Sequence, residues 1–89
     1  MISETTEKFR ALLAAAPPEK QTRIRNAYRA WLADPTHPSL RFKKVHPSLP
    51  VYSVRIDLDW RAVGVRRGDT IIWFWVGSHR DYDTLLKGL

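Results

Sequence analysis

Seven side chains between residues 43 and 82 are of types that can handle a phosphodiester. They are Arg55, Arg61, His79 and Tyr82, with Lys43, Lys44 and Arg80 around them. A guanidinium can bind phosphate oxygens bidentately and stabilise the extra charge of a pentacoordinate transition state. An imidazole exchanges a proton near neutral pH. A phenol can stack on a base or hold a hydroxyl in line. RNA supplies its own nucleophile, the 2′-hydroxyl, so this set requires neither a metal nor a protein nucleophile. Each residue also has a plainer reading. Arg55 and Arg61 can be solvated charges or partners of Asp57 and Asp59, His79 a loop or capping residue, and Tyr82 an anchor for the last segment. Lys43-Lys44 alone is too short a run to carry meaning. His37, His46 and His79 lack the spacing of a metal site. There is no Gly-rich phosphate loop and no Gly-x-Ser-x-Gly elbow. No cofactor and no metal are expected.

The elements that must position these groups follow from the hydrophobic pattern. Phe9, Leu12, Leu13 and Ala16 recur at helical spacing, so a first helix is predicted from Thr5 or Thr6 until Pro17-Pro18 stops it. Ile24, Ala27, Tyr28, Trp31 and Leu32 form the stripe of a second helix, opened by Pro18 and ended by Asp34-Pro35. After Pro38 the period becomes two. Leu40, Phe42 and Val45 alternate with Arg41, Lys43 and Lys44 as a short strand, and Tyr52, Val54, Ile56 and Leu58 alternate with Ser53, Arg55, Asp57 and Asp59. Arg67-Gly68-Asp69 reads as a hairpin turn rather than an adhesion motif. Thr70 to Val76 has no polar face and is expected to be buried on both sides. Gly77 closes it, and Tyr82 to Leu89 is a short helix or a loose tail.

Helices first and strands afterwards predict an α+β domain over residues 1–89. An antiparallel helical hairpin (about 5–34) packs on one face of a small antiparallel sheet of three to four strands (about 39–77), followed by a short segment, 78–89. Arg55 and Arg61 then lie on adjacent strands, and the carboxyl end of the buried strand delivers His79 and Tyr82 towards the face that the hairpin leaves open.

Composition bounds the class. Eighty-nine residues with 44% hydrophobic content suffice for one core without staples. The absence of cysteine excludes disulfide scaffolds, thiolate zinc sites and cysteine nucleophiles. No apolar run approaches the ~18 residues of a membrane span, and the polar N-terminus resembles neither a signal peptide nor an anchor, so a soluble, cytoplasmic protein is expected. The net charge of +6 is uneven, +2 over residues 1–36 and +4 over 37–89. Such a field attracts nucleic acid or an acidic protein, and also lies within the range that solubility alone explains.

One resemblance sharpens this. The runs His37-Pro38-Ser39-Leu40-Arg41-Phe42-Lys43-Lys44, Tyr52-Ser53-Val54-Arg55, Trp60-Arg61-Ala62-Val63-Gly64-Val65 and Trp73-Phe74-Trp75-Val76-Gly77-Ser78-His79-Arg80-Asp81-Tyr82-Asp83 together resemble the RelE/ParE toxin superfamily. The Gly-Ser-His-x-x-Tyr ending is most similar to its HigB-like branch. The resemblance implies the toxin of a type II toxin–antitoxin system, an mRNA endoribonuclease acting on the ribosome without metal, neutralised by a cognate antitoxin protein. By position it implies that Arg55 and Arg61 bind the scissile phosphate and that His79 transfers a proton. It makes Tyr82 the group that stacks on or orients substrate, and has Lys43, Lys44 and Arg80 grip the RNA backbone. Ser53 stands where some RelE members carry a basic residue, and the usual first strand is reduced to a stub before Thr5 or lost. Two alternatives accompany this reading: a non-catalytic ParE-type toxin that binds a protein such as DNA gyrase, and an inert relative.

Overall fold

Thr6 starts the first helix. Its hydroxyl accepts the amide of Phe9 at 3.1 Å, one of the donors a helix start leaves unpaired, and α1 runs over Glu7–Ala15 in the computed structural model, which describes residues 1–89. Pro17 and Pro18 end it, and Pro18 opens α2 (Pro18–Ala33), where a missing amide costs nothing. Gln21 closes the join. Its Nε2 donates to the carbonyls of Ala14 and Ala16 at 3.1 and 2.9 Å, so α2 satisfies the open end of α1. Phe9, Ile24, Ala27 and Trp31 enter one core with Val54, Ala62, Ile71 and Trp73. Trp31 meets Trp73 edge to face at 5.3 Å and Phe42 at 5.6 Å. Leu32 departs from the expected stripe and is 47% exposed, because it lies about 100° around the helix from the buried Trp31.

The sheet has five strands rather than three or four. They are β1 (Ile2–Thr5), β2 (Lys43–Lys44), β3 (Val51–Arg55), β4 (Trp60–Arg67) and β5 (Thr70–Ser78), in the order β1-β5-β4-β3-β2. The sheet is also mixed, because β1 runs parallel to β5, with Ile2 opposite Thr70 and Thr5 opposite Trp73. The stub before Thr5 is therefore a paired strand, four residues long, that covers one edge of β5. Two sequence expectations change between Pro38 and Asp59. A 3-10 turn (Pro38–Leu40) replaces the start of the expected strand, Arg41 takes a left-handed conformation (φ 47°), and only Lys43–Lys44 pair with β3. Strand β3 ends at Arg55, leaving Leu58 74% exposed in the turn to β4. Gly68, at φ 59°, makes the hairpin turn between Arg67 and Thr70.

One irregularity organises the rest. Val63 is opposite Trp75 while Gly64 is opposite Trp73, so Phe74 is an extra residue in β5. The side-chain phase flips there. Trp73 belongs to the core under α1 and α2, whereas Trp75, two residues on, belongs to a second core with Val51, Val63 and Tyr82. The strand is thus covered on both faces, as its lack of a polar side required. The second core lies under α3 (His79–Lys87), into which the C-terminal segment folds. No helix is long and apolar enough to cross a membrane.

Candidate active site

Two short strands and one helix start assemble a polar cavity. In the β3–β4 ladder Arg55 stands directly opposite Arg61, and Ser53 opposite Val63. The period of two places Ser53, Arg55 and Arg61 on the face turned away from α1 and α2. Ser78 then ends β5 and caps α3, its hydroxyl accepting the amide of Asp81 at 3.2 Å. That cap makes His79 the first helical residue, and the i, i+3 spacing puts Tyr82 on the same side. His79 is further held by its backbone amide, which donates to the carbonyl of Asp59 in the β3–β4 turn. Across from them, the left-handed Arg41 and the β2 residue Lys43 complete the wall.

The cavity measures about 250 Å³ and is lined by Arg41, Lys43, Ser53, Arg55, Arg61, His79 and Tyr82. Four of the seven are permanent cations, none is a carboxylate, and none of the four cations forms an ion pair. Arg61 is fixed by its own turn: Nη1 donates to the carbonyls of Asp57 at 2.6 Å and Trp60 at 2.9 Å. Burial, and after it the charge of Arg55, lowers the pKa of Arg61 from the usual arginine value, while Tyr82 and Asp57 raise it. The guanidinium nonetheless stays charged at neutral pH. A positive, partly dehydrated site of this kind favours an anion.

His79 is oriented by Asp83 one turn on, with Nδ1 3.3 Å from Oδ2. Both side chains are about half exposed, so the contact adds little stability. Its effect is directional: a carboxylate at Nδ1 favours a proton there and leaves Nε2 for another partner. Tyr82 is buried, with its ring packed among Val51, Val63 and Trp75. Its hydroxyl donates to the buried Ser53 Oγ at 3.2 Å. The ring therefore anchors α3 and is not free to stack on a base.

The seven residues singled out in sequence divide accordingly. Arg55, Arg61, His79, Tyr82 and Lys43 line one cavity. Lys44 does not, because it pairs with Tyr52 and so lies on the face of α1 and α2, and exposed Arg80 lies outside the cavity too. Two residues were missed. Arg41 enters only through its left-handed backbone, which no local pattern announced. Asp83 carried a readable signal, the i, i+4 spacing from His79.

Residues 19–84 match the family model of the ParE-like toxin domain. The chain belongs to that family. The fold of this ParE-like toxin domain is also that of several solved toxins. RelE, in the RelB–RelE antitoxin–toxin complex from Methanococcus jannaschii, superposes with a TM-score of 0.71 at 22% identity, covering 91% of this chain and 96% of that one. YafQ from E. coli gives 0.72 at 9% identity, covering 90% and 94%. The YoeB/ParE toxin from Agrobacterium tumefaciens gives 0.66 at 14% identity, covering 89% and 99%. No curated protein matches the chain in sequence. At these identities the ParE-like domain shares its architecture with these toxins, and its chemistry must be argued from its own cavity.

Proposed function

We propose that this ParE-like domain is the toxin of a type II toxin–antitoxin system and cleaves mRNA on the ribosome, using the RNA 2′-hydroxyl as nucleophile. The observation that carries the reading is the set of four unpaired cations grouped around His79 in one cavity. A site that only had to be soluble would interleave carboxylates with these charges, since like charges directly opposite each other destabilise a sheet. An anion between them reverses that cost.

In the proposed reaction the scissile phosphate lies between Arg55 and Arg61. The 2′-oxygen attacks phosphorus and gives up its proton, the bond from phosphorus to the 5′-oxygen breaks, and that leaving oxygen takes up a proton. The products are a 2′,3′-cyclic phosphate and a 5′-hydroxyl. Of the residues lining the cavity only the imidazole of His79 belongs to a class that exchanges protons near neutral pH, so it carries one of the two transfers. Arg55 and Arg61 offset the charge that builds on the equatorial oxygens. An antitoxin partner would neutralise the domain by covering this basic face.

The test is controlled induction of the wild type and of His79→Ala in a bacterial host, with mRNA 5′ ends mapped as growth stops. Arrest with in-frame cuts, both lost in the variant, is expected. Arrest without cuts and unaffected by the variant would assign the toxin to a protein target such as gyrase. Absence of arrest would identify an inert relative.

A further inference from the structure

A larger hollow adjoins the cavity and is not used by the chemistry above. It measures about 470 Å³ and lies between α2, the 3-10 turn and the end of β3. Its floor is apolar, formed by Ala27, Ala30, Leu40 and Ile56, and its rim is polar, with Asn26, Ser39, Arg23 and Asp57, whose carboxylate is already paired with Lys20 and Arg23. Arg55 lines both this cleft and the smaller cavity. The cleft stays open because β2 pairs only with Tyr52 and Ser53, so the last residues of β3 have no neighbouring strand on that side.

We infer that this cleft is a nucleotide subsite, which receives the base and ribose next to the phosphate held between Arg55 and Arg61. The inference rests on the RNA-cleavage reading and deepens it. Size is the first argument: the cleft falls within the roughly 300–1,000 Å³ typical of small-ligand sites, whereas the cavity beside His79, at about 250 Å³, falls below that range. Continuity is the second. The Arg55 side chain forms no hydrogen bond or ion pair within the chain, so its guanidinium is free to bridge the two hollows. One edge can bind a phosphate oxygen while its plane supports a base, a use of arginine common in single-stranded RNA recognition. The chemistry of the walls is the third. Ala27 and Ala30, one turn apart on α2, leave a shallow apolar shelf for a base. The Asn26 carboxamide at the rim offers both a donor and an acceptor to a base edge. Its present intrachain contact is a 3.3 Å bond from the exposed Arg29, which is readily exchanged for a ligand. Arg23 contributes to the rim without being free to close it, since it is held 3.2 Å from Asp57. The substrate strand would pass over Arg55, from the His79 side of the sheet to the α2 side.

The inference predicts that base preference is set at Asn26. Three probes, titrated by NMR against the intact chain, test it: inorganic phosphate, a short RNA with 2′-O-methyl riboses that cannot attack, and a polyglutamate peptide. Ala30→Trp fills the cleft from an exposed helical position and leaves the His79 cavity untouched. It is expected to weaken the RNA about tenfold or more while phosphate affinity is retained, which also reports that the variant is folded. Asn26→Ala is expected to change the ranking among RNAs that differ in one base. If Ala30→Trp leaves RNA binding unaltered while phosphate and RNA both bind the wild type, the cleft is not a subsite and the cleavage reading survives. Loss of the peptide alone in Ala30→Trp would assign the cleft to an acidic protein partner and overturn the inference. A wild type that binds neither phosphate nor RNA would remove both readings.

Discussion

Arg55 and Arg61 face each other directly across the β3–β4 ladder, on one face of the sheet, with no carboxylate paired to either. This is an arrangement that folding alone does not favour. Directly opposed like charges cost a sheet stability, and burial adds to the cost at Arg61.

Arg55→Ala should therefore leave the fold as stable as before or stabilise it, by up to about 1 kcal/mol, while abolishing growth arrest on induction. Urea unfolding set beside an induction assay checks both halves. A drop in stability comparable to that of a core truncation would show that Arg55 is structural instead.

Arg61→Lys should behave as a loss of function despite keeping the charge. The guanidinium holds three carbonyls, those of Asp57, Leu58 and Trp60, with Nη1 and keeps its other nitrogens for a ligand. An ammonium is a point charge without that fork. Comparing phosphate affinity of the lysine variant with that of the wild type tests this.

Tyr82 has two separable parts. Tyr82→Phe removes only the hydroxyl bonded to Ser53 and should cost about 1 kcal/mol, leaving α3 docked. Tyr82→Ala removes the ring from the second core and should cost about 3–5 kcal/mol, as truncations of buried aromatics do. Thermal melts followed by circular dichroism distinguish the two. A phenylalanine variant that stays folded but loses toxicity would give the hydroxyl a part in handling substrate.

Asp57 links α2 to the β3–β4 turn, whose carbonyls hold Arg61, with Lys20 Nζ at 2.7 Å and Arg23 Nη1 at 3.2 Å. Burial pushes its carboxyl up. Hydrogen bonds from Lys20, the Asp59 amide and Arg23, with the charge of Lys20, outweigh burial and hold it below the usual value. A carboxyl lowered by folding stabilises the native state above its unfolded pKa, and that contribution disappears as pH falls through the native one. The loss thus lies below about pH 4. Asp57→Asn should destabilise by about 1.5–3 kcal/mol at neutral pH and flatten the acid limb of the stability curve. Denaturant titrations between neutral pH and pH 3 would show whether the two curves converge as the wild type is protonated.

Gly64 has no room for a side chain. A methyl there would come within 2.8 Å of Ile71 Cγ2 and 2.9 Å of Trp73 Cε3, beside the Phe74 bulge. Gly64→Ala should cost about 1–3 kcal/mol and disturb the phase flip on which the second core depends. Tryptophan fluorescence would report the disturbance through Trp75.

The helices were legible because their determinants are local. The Phe9–Ala16 and Ile24–Trp31 stripes, the Pro17-Pro18 stop and the Gly68 turn each depend on residues within a few positions of one another. The groups in the candidate site were legible in part for a similar reason: alternation along β3 put Arg55 on the open face, and His79 and Tyr82 follow the carboxyl end of the buried strand. The Ser78 cap that starts α3 at His79 rather than near Tyr82 was not foreseen. What sequence left open depends on partners distant along the chain. Ile2–Thr5 is a strand only because the edge of β5, nearly seventy residues away, is there to pair with it. Phe74 is a bulge only against Gly64 and Val63, so alternation alone would have placed Trp73 and Trp75 on one face. Arg41 reaches the cavity through a backbone conformation imposed between the 3-10 turn and β2. The sequence by itself determined which residues could bind a phosphodiester and which short elements would carry them. The tertiary structure alone decided which of them share a cavity, because strand register and edge pairing are set by contacts between segments that no local pattern encodes.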